Sequence, residues 1–174
     1  MTTPHSDPES EATTRTYRAS ALKERIYVAF TALAVIIALR AHDQHPSASI
    51  ALGTLAITVV ATICAVYVAD LLSHMIIHAH LPTPTDHRQM ITGTLGAGAV
   101  AIPPLVCLAL SAIGIYDAAA GLLSAMLVII VTLTAIGLLA ARRLSVPRAQ
   151  RIAILAAESF LALVVIALEL LSHR

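Results

Sequence analysis

The stretch ASIALGTLAITVVATICAVYVADLLSHMIIH, residues 48–78, decides the fold. From Ala48 to Ala69 it carries no charged side chain, and it then closes on Asp70, His74 and His78. Crossing about 30 Å of hydrocarbon at roughly 1.5 Å per residue takes about 20 apolar residues in a helix. The run is longer than that, so its last turns project beyond the membrane. It must be helical, because a segment alone in lipid has to satisfy its own backbone hydrogen bonds. On a helix, steps of four residues drift by only about 40°, so Asp70, His74 and His78 share one face, with Tyr67 at its edge. Ionisable groups flanked by hydrocarbon cost several kcal/mol to insert and tend to mark ion pathways, which makes this face the first candidate site.

Composition extends the reading to the whole chain. Of 174 residues, 58% are apolar, 12% charged and 3% aromatic, with a mean hydropathy of +0.85. Soluble domains are roughly 45–50% apolar and about 25% charged, so a water-soluble fold is excluded. The expected class is all-α, a polytopic integral membrane bundle. A formal net charge of +1 gives no case for nucleic acid as a partner. The partner it does imply is the lipid bilayer.

Five spans are expected, at about residues 24–41, 48–78, 91–115, 118–141 and 152–172. The first is short unless Lys23, Arg25 and Arg40 extend their charged ends outward. Residues 1–20, rich in Ser, Thr, Pro and Glu, read as a disordered cytoplasmic tail, and residues 21–174 as the transmembrane domain. No basic, apolar-cored signal peptide opens the chain. Of the eleven Lys and Arg, all but Arg40 and Arg174 fall on one side of this layout. Cytoplasmic loops carry the excess of basic residues, so the N-terminus is expected inside, the C-terminus outside, and the location is the cytoplasmic membrane. Lys23 is the single lysine, a usage that with the many alanines resembles high-GC bacterial proteins.

This orientation sends the second span inward and starts the fifth on the same side. Asp70, His74 and Glu158 are then expected at similar depth in the inner leaflet, with Glu24 near the mouth. Three chemistries suit such a cluster. A divalent metal such as zinc would take His74 and His78 from one helix, Asp70 as a hard oxygen and Glu158 from another helix. A proton or other cation would use Glu24, Tyr67, Asp70, His74 and Glu158 as a pathway. Bis-histidine haem ligation fits worst, because both main candidates sit on one helix. The plainer alternative is that Asp70 and His74 only tie helices together, pairing with Lys23 or Arg25. His80 and His87 read as solvated interfacial residues.

Pro103 and Pro104 interrupt the third span, free the carbonyls of Ala99 and Val100, and predict a kink. Broken helices expose carbonyls to ions in transporters, so the two prolines join the candidate pathway. The fourth span has no ionisable group before Arg142, and its small residues, Gly121, Ser124, Ala125 and Gly137, suit close helix contact and a homo-oligomer. Cys64 and Cys107 lie at different depths and read as unpaired core residues. No serine-nucleophile, phosphate-loop or metalloprotease motif is present. The leading expectation is a small cation channel or transporter. Its alternatives are an accessory or scaffold subunit of a larger membrane complex and a zinc enzyme acting on lipid.

Overall fold

The computed structural model describes residues 8–42 and 47–143, together with the single position 156. Every element within them is helical: α1 (Pro8–His42), α2 (Ala48–His78), α3 (Pro84–Gly98), a 3-10 turn (Ala99–Ala101), α4 (Ile102–Ala112) and α5 (Ala118–Arg143). Three rods are long and apolar enough to cross a membrane, namely α2, the composite α3–α4 over Pro84–Ala112, and residues Ala118–Leu139 of α5. The fifth expected span, 152–172, lies outside the described residues.

α1 is the hub, packed against α2, α3 and α5. Val28, Ala29, Ala32, Leu33 and Ile36 are all essentially inaccessible, a stripe at helical spacing that alternates small and large side chains. α1 is not among the three rods long and apolar enough to cross a membrane, so the expected first span is not confirmed, and its apolar residues are covered by neighbouring helices. α2 shows the opposite pattern. It buries Ala51, Leu55 and Val59 at strict four-residue intervals, and turns Ile57, Val60, Val68 and Ile76 outward. Only 17% of its most apolar window is buried inside the molecule, as suits a surface whose solvent is hydrocarbon. Cys64 faces outward with it, which corrects the expectation of a core residue; both cysteines are free.

α1 begins at Pro8, so helix takes in most of the segment whose composition predicted a disordered tail. The physical reason is cooperativity: once a nucleus is fixed by packing, Ala, Glu and Arg residues extend a helix at little cost. The third span is broken as the prolines require. Neither Pro103 nor Pro104 can donate to the turn before it, and the chain passes through the 3-10 turn before α4 resumes. This composite rod ends at Ala112, three residues sooner than expected, in a turn where Gly114 has φ +85°. There Ser111 donates to the carbonyl of Asp117 at 3.1 Å, the Tyr116 hydroxyl donates to the carbonyl of Cys107, and Asp117 caps α5 through the Ala120 amide at 2.7 Å.

Hydroxyls inside the apolar helices are satisfied locally. Thr58, Thr62, Thr94 and Thr132 each donate to the carbonyl four residues back, at 2.7–2.9 Å. They need no other partner, which leaves one end of the bundle as the place where polar chemistry gathers.

Candidate functional site

Three pieces of chain meet at that end: α1 around residues 20–27, α2 from 67 to 78, and the segment 80–93 that turns into α3. The antiparallel packing of α1 on α2 sets the first contact, since Glu24 stands one turn before buried Val28 and Asp70 stands near the far end of α2. The turn into α3 is built by a capping box. The Thr83 backbone amide donates to Asp86 Oδ2 at 2.9 Å, the Asp86 amide donates to Thr83 Oγ1 at 3.3 Å, and Pro84 opens the helix. That box holds the Asp86 carboxylate over α2.

The result is an open pocket of about 330 Å³ whose polar lining includes Ser20, Glu24, Asp70, Ser73, His74, His78, Asp86 and Gln89. A second hollow of about 270 Å³, between α1 and α2, is lined by Lys23, Tyr27, Ala65, Val66 and Ala69, and shares Ser20, Glu24 and Asp70 with the first. The two carboxylates therefore stand where the hollows join. Glu24 Oε1 accepts from the Ser20 hydroxyl at 3.2 Å, while its Oε2 is buried with no hydrogen-bond partner. His74 is 13% exposed, and its buried Nε2 likewise has no hydrogen bond. Its nearest acid is Asp86, with Oδ2 at 3.9 Å, beyond hydrogen-bond reach.

The histidines form a group of their own. The ring centre of His74 is 4.5 Å from that of His78 and 5.5 Å from that of His80, and His78 and His80 are 5.7 Å apart. His80 returns to this face because Ala79 adopts a left-handed conformation with φ 55°, its amide bonded to the Met75 carbonyl at 3.0 Å.

Of the residues singled out from sequence, Glu24, Asp70, His74 and His78 come together in one pocket. Tyr67 lines neither hollow; its hydroxyl lies 2.8 Å from His87 Nδ1 and ties α2 to α3. Pro103 is exposed and Pro104 buried in the middle of the bundle, and neither lines these hollows. Glu158 lies outside the described residues. Arg25, expected beside the carboxylates, reaches towards Gly96 on α3, its guanidinium 3.8 Å from where a Cβ would stand. Lys23 lines only the second hollow. Sequence reasoning did not single out Asp86 and read His80 only as a solvated interfacial residue. The Thr83-Pro84-Thr85-Asp86 capping pattern was the available signal for the first, and nothing short of the Ala79 turn signals the second.

Such a lining suits a cation: Glu24, Asp70 and Asp86 supply three carboxylates and His74 and His78 two imidazoles, while Lys23 lines the second hollow alone. Among the described residues, no three His, Cys, Asp or Glu side chains are posed on a common point as a metal ion requires. Fold and site together define an all-helical protein of membrane type with an ionisable pocket at one end of the bundle. No protein-family model matches the chain, and neither does any curated protein or solved structure.

Proposed function

We propose that the protein is a small cation channel or transporter of the cytoplasmic membrane, oriented with the Glu24–Asp70 pocket at its inner face. The observation that carries this reading is the buried, unpartnered Oε2 of Glu24 beside Asp70, in a hollow open to solvent. A carboxylate oxygen left without a partner in such a place is costly unless something binds it. Groups kept only to tie helices together would be paired, as Tyr67 and His87 are. The pocket therefore supports ion handling over a purely structural role. Proton and divalent metal both suit two carboxylates on separate helices.

Flux is the test. Wild-type protein reconstituted in liposomes should move protons or divalent cations down an imposed gradient, followed with an interior indicator dye. Asp70→Asn and Glu24→Gln should each remove that flux while leaving the protein folded and inserted. Equal flux through wild type and both variants would overturn the reading.

A further inference from the structure

The second hollow runs along the helices rather than across them. On α1 it is lined by Ser20, Lys23, Glu24 and Tyr27, positions that share one helical face over roughly 10 Å of rise. On α2 it is lined by Ala65, Val66, Ala69 and Asp70. Because the two helices pack antiparallel, Glu24 and Asp70 fall at one end of the groove and Tyr27 and Ala65 at the other. It is charged at its head and largely apolar below.

A phospholipid has the same polarity along its length. The charge-free run from Ala48 to Ala69 covers roughly 33 Å, which fills about 30 Å of hydrocarbon and leaves Asp70 at headgroup level. Below Asp70, the residues Ala69, Ala65 and Ala61 recur every four positions and are all exposed. They make a shallow trough about 12 Å long, closed at its far end by Ile57, which is 73% exposed, and bordered by the outward row of Val60 and Val68. Methyl side chains of this kind leave room for an acyl chain to lie against the helix.

The head of the groove discriminates among lipids. Glu24 Oε2 is buried with no hydrogen-bond partner, and Asp70 lines the same space, so a positively charged donor satisfies both. Lys23 adds a positive charge to this lining. A simple cation gains nothing from that lysine, whereas a zwitterion gains from both signs, its ammonium on the carboxylates and its phosphate on Lys23. A primary ammonium donates three hydrogen bonds. A quaternary ammonium donates none, and a glycerol headgroup carries no cation at all. From this juxtaposition we infer that the groove between α1 and α2 binds one phospholipid with a primary-ammonium headgroup, its ammonium between Glu24 and Asp70, its phosphate at Lys23 and one acyl chain along Ala69, Ala65 and Ala61. The lipid reaches the two carboxylates from the hydrocarbon side, and its binding goes beyond the transport reading without depending on it.

The experiment offers the purified, tag-free, full-length protein in detergent an equimolar mixture of phosphatidylethanolamine, phosphatidylcholine and phosphatidylglycerol with identical acyl chains. Native mass spectrometry then counts the lipid retained per chain. Wild type should keep one phosphatidylethanolamine, favoured about tenfold over each of the other two, as one charge-assisted hydrogen bond provides. Glu24→Gln combined with Asp70→Asn should bring phosphatidylethanolamine down to the level of phosphatidylcholine. Ala65→Leu fills the trough at an exposed position, so it should reduce retention while its helix content, followed by circular dichroism, stays that of wild type. Equal retention of the three lipids by wild type, a preference that survives the paired carboxylate substitutions, or undiminished retention by the folded Ala65→Leu protein would each overturn the assignment. Flux is not read in this measurement, so its failure is distinguishable from failure of the transport reading.

Discussion

Ala79 is the residue on which the mouth turns. Its left-handed φ of 55° costs an alanine about 1 kcal/mol that glycine would not incur. Ala79→Gly should therefore raise stability by about 1 kcal/mol in detergent-micelle unfolding, and an unchanged or lowered stability would show that the turn is not left-handed. Tyr67 makes the other single contact of consequence, bonding α2 to α3 through His87. A net hydrogen bond is worth about 1 kcal/mol in water and about 0.6 between membrane helices. Tyr67→Phe should cost that smaller amount in the same unfolding assay and leave the cation flux intact. A residue that acted in the site itself would alter both measurements.

Close approach governs the elements. At Gly98, where α3 gives way to the 3-10 turn, an added Cβ would run into the end of the Ile63 side chain on α2. At Gly121 on α5 it would stand 2.6 Å from both Cβ and Oγ of Ser111 on α4. The two look alike in sequence but predict different rescues. Gly98→Ala should destabilise by about 1–3 kcal/mol, the usual cost of overpacking, and adding Ile63→Val should recover most of it, because the nearest clashing carbon is the Cδ1 that valine lacks. Gly121→Ala should cost a similar amount, yet Ser111→Ala should not relieve it, since the Ser111 Cβ remains. A double-mutant cycle for each pair measures the difference. The α3–α4 break is likewise an element-scale feature. Pro103 and Pro104 enforce it through missing donors, and the helical segments on either side of it, α3 with Asp86 and α4, both pack on α2.

Across the whole molecule, α1 is surrounded by protein while the flanking rods present their apolar faces outward. Leu33 is wholly inaccessible at the hub. Leu33→Ala should cost about 2 kcal/mol, the cavity contribution alone at ~24 cal/mol per Å3, because lipid removes the usual transfer gain. Ile57→Ala, on the outward face of α2, should be near neutral in the same unfolding assay. The bilayer environment has its own check at Cys64, which is exposed midway along α2. In intact vesicles Cys64 should resist a charged thiol reagent and react once the protein is denatured, since the thiolate does not form in hydrocarbon. Equally fast reaction in both states would place that face in water.

Sequence alone determined that this chain is helical and of membrane type, and it placed α2 at residues 48–78, because a run as long as the charge-free Ala48 to Ala69 has one stable conformation in lipid. It also marked Asp70, His74 and His78 as sharing a face, since four-residue spacing is a local property of any helix. Local rules do not reach across loops, so the company these residues keep was decided by tertiary packing. Glu24 arrives beside Asp70 through the antiparallel docking of α1, Asp86 through the capping box after the loop, and His80 through the reversal at Ala79. The hub position of α1 was decided in the same way: its short apolar run reads as a marginal span, and only the burial of Val28, Leu33 and Ile36 by three neighbours makes it the centre.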